Sequence, residues 1–434
     1  MTNLQTIGVM SYVCDRYEMF INGGVAAHSN VDDSDDESES QTTQQDVRKR
    51  NLVRENIRYK SIVSNADKYW VKTNKRTFPA DRMTLAYVTP WNSGGYEAAE
   101  LFSGKFTHVS PVWHQIALKD KVISLQGTHD VDKKWIARVK ANGKTKIVPR
   151  FILEGFNPNT LNSAFREANS LIKSIIQFIT DYNYDGMVLE GVIPYFDIDR
   201  NIRNHFVEKL YKEMKSINKQ LILVSPVCLR FRLYKDILSL ILTLLCLLFT
   251  KPLGTKLVHV EDLIVLGGNC DGISMMTYDY DPNRGQLAPL EMFQYAVQSL
   301  EQTGKFTMSK LMLGLPFYGY TGVFGKEASP ILGRQYIELL KSHKPKKISW
   351  DTSTHEHTFT YKNNQGNEQW VNFPSLLFLE ERIQLAKQSG CSLAIWEIGQ
   401  VEHLLCYFGC DRVGFFANKP ITYFRFSLDG ESEW

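Results

Sequence analysis

Residues 184–192 read YDGMVLEGV, a run whose apolar positions Met187, Val188, Leu189 and Val192 leave one acid, Glu190, inside what is otherwise a buried strand. An apolar run of this length bounded by turn residues suits a strand covered on both faces, as in a parallel sheet. Seven other runs share its texture: TLAYV (84–88), HVSPVWHQI (108–116), KIVPRFIL (146–153), LILVSPV (221–227), DGISMMTYDY (271–280), LMLGLPFYGY (311–320) and SLAIWEIG (392–399). Between several of them lie stretches such as LNSAFREANSLIKSIIQFITDY (161–182) and LEMFQYAVQSLEQTG (290–304), whose apolar residues fall three and four apart, the spacing of one helix face. Strands alternating with helices imply a parallel sheet, and eight such units close most simply into an α/β fold of the (β/α)8 TIM barrel type over residues 81–400.

A chain of 434 residues, 43% hydrophobic and 22% charged, can bury one large core or two ordinary ones. Its net charge of +3 comes from 50 basic and 47 acidic residues spread along the sequence, so no clustered basic face points to nucleic acid. The seven cysteines show no CxxC pair and no regular spacing, so neither a metal site nor a disulfide framework is expected. No cofactor is implied. The opening MTNLQTIGVMSYVCDRYEMF lacks the basic start and unbroken apolar centre of a secretory signal.

Three regions depart from the barrel pattern. Residues 29–50, SNVDDSDDESESQTTQQDVRKR, have almost no apolar anchors, so residues 1–80 read as a mostly disordered leader. KKISW and HTFTYKNNQGNEQWVNF (346–373) alternate around a polar Asn-Asn-Gln-Gly turn, which predicts a hairpin inserted between strands seven and eight, within a small subdomain over 321–373. Finally, Ile237 to Phe249 is apolar all round except for Ser239 and Thr243. At 13 residues it is short of the roughly 20 that span a bilayer, so no membrane span is expected. Residues 228–255 read as an anomalous insertion, either a buried helix or translated intron, and 401–434 as a tail of uncertain character.

In a barrel of this kind chemistry sits at the C-terminal ends of the strands. Those ends carry Trp91, Trp113, Glu154, Glu190, Tyr278, Asp279, Tyr280, Tyr318, Tyr320, Trp396 and Glu397, with His129, Asp130 and Asp132 in the loop after strand two. Flat rings stacking on sugar faces and carboxylates accepting from hydroxyls would make a carbohydrate cleft. Glu190 must be paired, protonated, or open to a wet cleft, since a buried, unpaired carboxylate costs several kcal/mol.

YDGMVLEGV, together with MMTYDY, LGLPFYGY and IWE, resembles glycoside hydrolase family 18, the chitinases and chitinase-like lectins. The family's fourth strand reads Asp-Gly-x-Asp-x-Asp-x-Glu. Asp185 and Gly186 match its opening pair, Val188 and Glu190 stand at the two inner aspartates, and Val192 stands at the proton-donating glutamate. The resemblance implies substrate-assisted chemistry, in which the sugar's acetamide attacks while that glutamic acid protonates the leaving oxygen. Valine has no proton to give. Glu190, two residues earlier and about 6.6 Å deeper at roughly 3.3 Å per residue, would meet a hydroxyl or acetamide. The implied expectation is a catalytically silent oligosaccharide binder, with Tyr278 and Asp279 at the acetamide and Trp396 as the sugar floor. Two rivals stand beside it: a working glycosidase using Glu190, Glu154, Asp279 or Glu397 as acid, and a scaffold for an endocytic receptor. A secreted or lysosomal setting follows from the resemblance alone.

Overall fold

The computed structural model describes residues 42–43, 45–66, 68–70, 76, 78–193, 198–227, 229–230 and 258–400. Its barrel strands are β1 (Thr84–Val88), β2 (His108–Pro111), β3 (Lys146–Ile147 and Arg150–Glu154), β4 (Gly186–Glu190), β5 (Gln220–Pro226), β6 (Gly272–Met276), β7 (Leu311–Pro316) and β8 (Ser392–Trp396). All neighbours pair in parallel, and β8 pairs with β1. β3 is interrupted at Val148 and Pro149, where proline supplies no ladder donor. Backbone bonds from Asp185 N–H to the Ile147 carbonyl and from Val188 N–H to the Pro149 carbonyl, each 2.9 Å, carry β4 past the gap and close the ring.

Alternation along these strands sorts side chains into two apolar layers. Leu85, Tyr87, Val112, Val148, Val188, Ile222, Val224, Met312 and Ala394 fill the barrel's interior. Their neighbours face the surrounding helices and join a larger cluster. The helix Ala168–Asp181 shows why: it buries Ala168, Leu171, Ile172, Ile175 and Ile179, a single stripe against the strands. Helix starts are set locally. Asp199 accepts from the amides of Asn201 and Ile202, and Asn157 accepts from those of Asn159 and Thr160, with Pro158 at the first helical position between them.

Several elements differ from the sequence expectation. The 108–116 run is not one strand: it breaks after Pro111, and His114–Lys119 then pairs in parallel with Arg150–Glu154 and antiparallel with Val122–Gln126. Asp120 and Lys121, at φ of 50° and 65°, make the tight turn of that extra hairpin. The insertion between β7 and β8 is larger than a hairpin. It is a five-stranded antiparallel sheet of Gly319–Val323, Ser329–Ile331, Ser349–Asp351, Glu356–Lys362 and Glu368–Asn372, with the helix Gly333–His343. The expected hairpin around Asn363–Gly366 is one pair of its strands. LMLGLPFYGY is unbroken in hydrophobicity and reads as one strand, yet β7 ends at Pro316 and Gly319 opens the inserted sheet.

Of residues 1–80, expected to be a mostly disordered leader, 1–41 lie outside the described residues, and the described remainder contributes Val47, Leu52, Ile57, Ala66 and Phe78 to the large apolar cluster. A handful of anchors spread over about 30 residues is too sparse a signal to read against the acidic segment before them. Leu52, Ile57 and Ile62 line a cavity of about 80 Å³ with Tyr336, Ile337 and Phe373 of the inserted subdomain, away from the strand ends. Of the 228–255 insertion, Leu229–Arg230 pairs with Val258–His259; residues 231–257, like the tail 401–434, lie outside the described residues. The short helix Val260–Gly268 leads into β6. Among the described residues, no helix is long and apolar enough to cross a membrane.

Candidate functional site

β4 places Val188 in the barrel's inner cluster, so Glu190, two residues on, faces the same interior at the strand's last position. Its carboxylate is not alone. Arg150 on β3 donates from Nε to Glu190 Oε2 at 2.5 Å, with side chains 12% and 25% exposed, so the pair reaches solvent at the barrel mouth. Arg150 also lies over the Trp396 ring, 6.0 Å from its centroid. Tyr87 meets that ring edge-on at 5.2 Å and donates its hydroxyl to Ser274 Oγ at 3.0 Å. Burial pushes the Tyr87 phenol well above its ordinary value, and the nearby Glu190 charge pushes the same way. Arg150, Glu190, Trp396 and Tyr87 thus form one contiguous floor whose charges are those of the ion pair.

Beyond Glu190 the strand ends. Gly191 takes a left-handed φ of 93°, and a Cβ there would come within 3.0 Å of Leu153. This turn breaks the count by twos that put Val192 on the inner face above Glu190. Val192 is fully buried and joins the large apolar cluster.

A second group gathers at the ends of β6 and β7. Asp279, at φ 59°, accepts from the hydroxyls of Tyr318 at 2.5 Å and Tyr320 at 3.0 Å. Tyr278 packs edge-on against Tyr318 at 6.2 Å. Two buried tyrosines, with Tyr320 supplied by the inserted sheet, thereby hold an exposed carboxylate at the rim. Trp91 is 49% exposed on the loop after β1, and Glu154 is exposed at the end of β3.

Two expected ligand contacts, Trp113 and Glu397, are buried away from the mouth. Trp113 is fully buried outside the barrel, donating Nε1–H to Tyr96 Oη at 2.8 Å and packing edge-on against Trp135 at 5.6 Å. Parity explains it, since Val112 points inward and its neighbour must point out. Glu397, just past the end of β8, is only 1% exposed. It accepts from Asn92 Nδ2 at 2.7 Å and from Gly399 N–H at 2.9 Å. Burial raises its carboxyl to about 7, against the pull of those hydrogen bonds. Tyr280 is partly buried, its N–H bonded to the Leu287 carbonyl. In the loop after β2, Asp132 caps the helix Lys133–Val139, and His129 is an exposed neighbour of Asp130.

Arg150 is the residue that sequence reading missed. Its signal was available in KIVPR, where inward-facing Val148 puts Arg150 on the same face. Among the described residues, no cluster of three or more histidine, cysteine or acidic side chains could hold a metal ion.

Residues 83–400 match the family model of glycosyl hydrolases family 18. Among solved structures, the chain is similar to a chitinase from Chromobacterium violaceum, with TM-score 0.60 and 16% identity over 75% of this chain and 98% of that one. A mutant chitinase from Cycas revoluta, solved in complex with (GlcNAc)4, gives TM-score 0.57 and 16% identity over 75% and 98%. The spore cortex-lytic enzyme SleL of Bacillus cereus gives TM-score 0.58 and 16% identity over 75% and 73%. With a family match over most of its length and a closed eight-stranded barrel to carry it, the chain belongs to glycosyl hydrolases family 18.

Proposed function

We propose that this protein is a chitinase-like lectin that binds chito-oligosaccharides or related glycans at the barrel mouth without hydrolysing them. The observation that carries this reading is the fate of the fourth strand. Where the family motif has its proton donor, Val192 is fully buried in the large apolar cluster, and the acid that remains, Glu190, is tied to Arg150. A carboxylate oxygen that accepts from a guanidinium at 2.5 Å is engaged as an acceptor, whereas protonating a leaving group requires a donor. The floor of Trp396 and Tyr87 and the carboxylate of Asp279 retain what sugar recognition needs: an apolar ring face and oriented hydrogen-bond acceptors.

Within the family, AYVTPWNSGGY (86–96), FTHVSPVWHQI (106–116), THDVD (128–132), KIVPR (146–150), DGISMMTYDYD (271–281) and IWEIGQ (395–400) resemble chitinase domain-containing protein 1, the stabilin-interacting chitinase-like protein. The proposed setting, secretory, lysosomal or extracellular, and an endocytic receptor as protein partner come from that resemblance.

One observation favours the rival, a working glycosidase: the Glu397 carboxyl, raised to about 7, is poised to hold a proton near neutrality. Its burial behind Asn92 and Gly399 argues against delivery of that proton to a ligand. A fluorogenic chito-oligosaccharide assay, run with the native protein and with Glu190→Gln, Asp279→Asn and Glu397→Gln, separates the two. The lectin reading expects no release above buffer in any of the four. Turnover by the native protein that one of these substitutions abolishes would overturn it and name the acid.

A further inference from the structure

We propose that the Arg150–Glu190 ion pair is a charge filter that makes the barrel mouth select uncharged sugar rings over amine-bearing or carboxylate-bearing ones. This deepens the glycan-binding reading above and rests on it.

The geometry is specific. Arg150 pairs in register with Val188 and Ile152 with Glu190, so the two charged side chains lean toward each other diagonally across adjacent strands. They meet at 2.5 Å, and both retain some exposure at the mouth. The guanidinium sits 6.0 Å from the Trp396 ring centroid, so a sugar stacked on that ring also lies beside the pair. Tyr87, the titratable neighbour that shares this floor, is kept neutral by burial.

A hydroxyl or an acetamide can approach such a pair without disturbing it. Its oxygen accepts from the guanidinium, and its O–H or N–H donates to the carboxylate. A charged substituent cannot do both. An ammonium attracted to Glu190 faces Arg150 with like sign, and a carboxylate attracted to Arg150 faces Glu190 with like sign. Either binds only by separating the pair, which leaves one charge uncompensated in a partly desolvated floor. Discrimination of this kind comes from a repulsive element built against the wrong ligand. The filter also accounts for retaining two charges beside Tyr87, Trp396 and the apolar residues of the barrel interior.

The test is calorimetric titration with three tetrasaccharides: the N-acetylglucosamine tetramer, the glucosamine tetramer at a pH where its amines are charged, and one alternating N-acetylglucosamine with a uronic acid. The native protein is expected to prefer the neutral tetramer by about tenfold or more. Arg150→Met should shift the ratio at least tenfold toward the glucosamine tetramer, Glu190→Gln at least tenfold toward the uronic acid ligand, and Arg150→Lys should restore the native order. If Arg150→Met does not fold, Glu190→Gln and Arg150→Lys carry the same test. Binding of the neutral tetramer with ratios unchanged across the variants overturns the filter and leaves the glycan reading standing. Failure of the native protein to bind any of the three overturns the glycan reading and the filter with it.

Discussion

Arg150 Nε donates to Glu190 Oε2 at 2.5 Å, joining β3 to β4 at the mouth of the barrel. An acid on the inner face of a strand thereby becomes half of a neutral unit. The same contact sets the position of the guanidinium over Trp396. On the proposed lectin reading, binding surface and lost acid chemistry are two consequences of one arrangement.

Restoring the missing glutamate alone should not restore catalysis. Val192 is fully buried in the large apolar cluster beyond the Gly191 turn, so Val192→Glu is expected to place a carboxyl among apolar side chains and lower unfolding free energy by about 3 kcal/mol or more. Chemical denaturation and a chito-oligosaccharide assay on the same variant check both halves. A stable variant that turns over substrate would show that this position can face the mouth.

Trp396→Ala should weaken binding of the N-acetylglucosamine tetramer at least tenfold, about 1.4 kcal/mol. The ring is part of the floor and is partly exposed. Because Trp396 also meets Tyr87, a stability loss of about 1–2 kcal/mol is expected alongside. Comparing the calorimetric Kd with the denaturation midpoint distinguishes the roles: an equal stability loss with unchanged Kd would make the ring packing alone.

Glu397 should give the protein a pH-dependent stability that Glu397→Gln lacks. Its carboxyl is raised from 4.5 to about 7 by burial, so the folded state holds its proton more tightly than the unfolded one. The stabilisation is complete below about pH 4.5 and is lost as pH rises through about 7. Between about pH 4.5 and 8 the native protein should lose about 3 kcal/mol relative to the glutamine variant, since each tenfold difference in proton affinity between the two states is about 1.4 kcal/mol. Denaturant midpoints measured for both proteins across that range check it; parallel curves would mean that the carboxyl is ionised throughout.

The inserted subdomain should depend on Arg382. This fully buried guanidinium stacks 3.6 Å from the Phe378 ring centroid and donates to the carbonyls of Ala288, Phe378 and Thr354, beside buried Glu356. Glu356 in turn accepts from Ala288 N–H and Asn372 Nδ2. Arg382→Leu strands Glu356 and three carbonyls, at an expected cost of about 3–5 kcal/mol. Glu356→Gln keeps an acceptor for Asn372 and should cost less. Equal losses in denaturation would mean that charge, and not hydrogen bonding, holds this junction.

The barrel was legible because its signal is repetitive: eight apolar runs with helices between them need only be counted. The site was legible in part. Trp396, Glu190, Tyr278, Asp279, Tyr318 and Tyr320 gather at strand ends as their positions imply. Trp113 is buried outside the barrel, as the parity set by inward-facing Val112 requires, whereas Glu397 lies past the end of its strand, where alternation gives no guide. Val192 was misplaced for a different reason: a single glycine φ ended the strand, and alternation does not survive such a turn. The Arg150–Glu190 contact joins residues 40 apart in sequence, and the parallel pairing of β3 with β4 brings them together.

The most direct measurement incubates the native protein with the N-acetylglucosamine tetramer at equal and excess concentrations, follows binding by calorimetry, and reads the sugar by mass spectrometry after prolonged incubation. For a lectin, the expected result is a saturable binding isotherm and a tetramer that remains intact. Accumulation of dimer or monomer, abolished by Glu190→Gln, would contradict it.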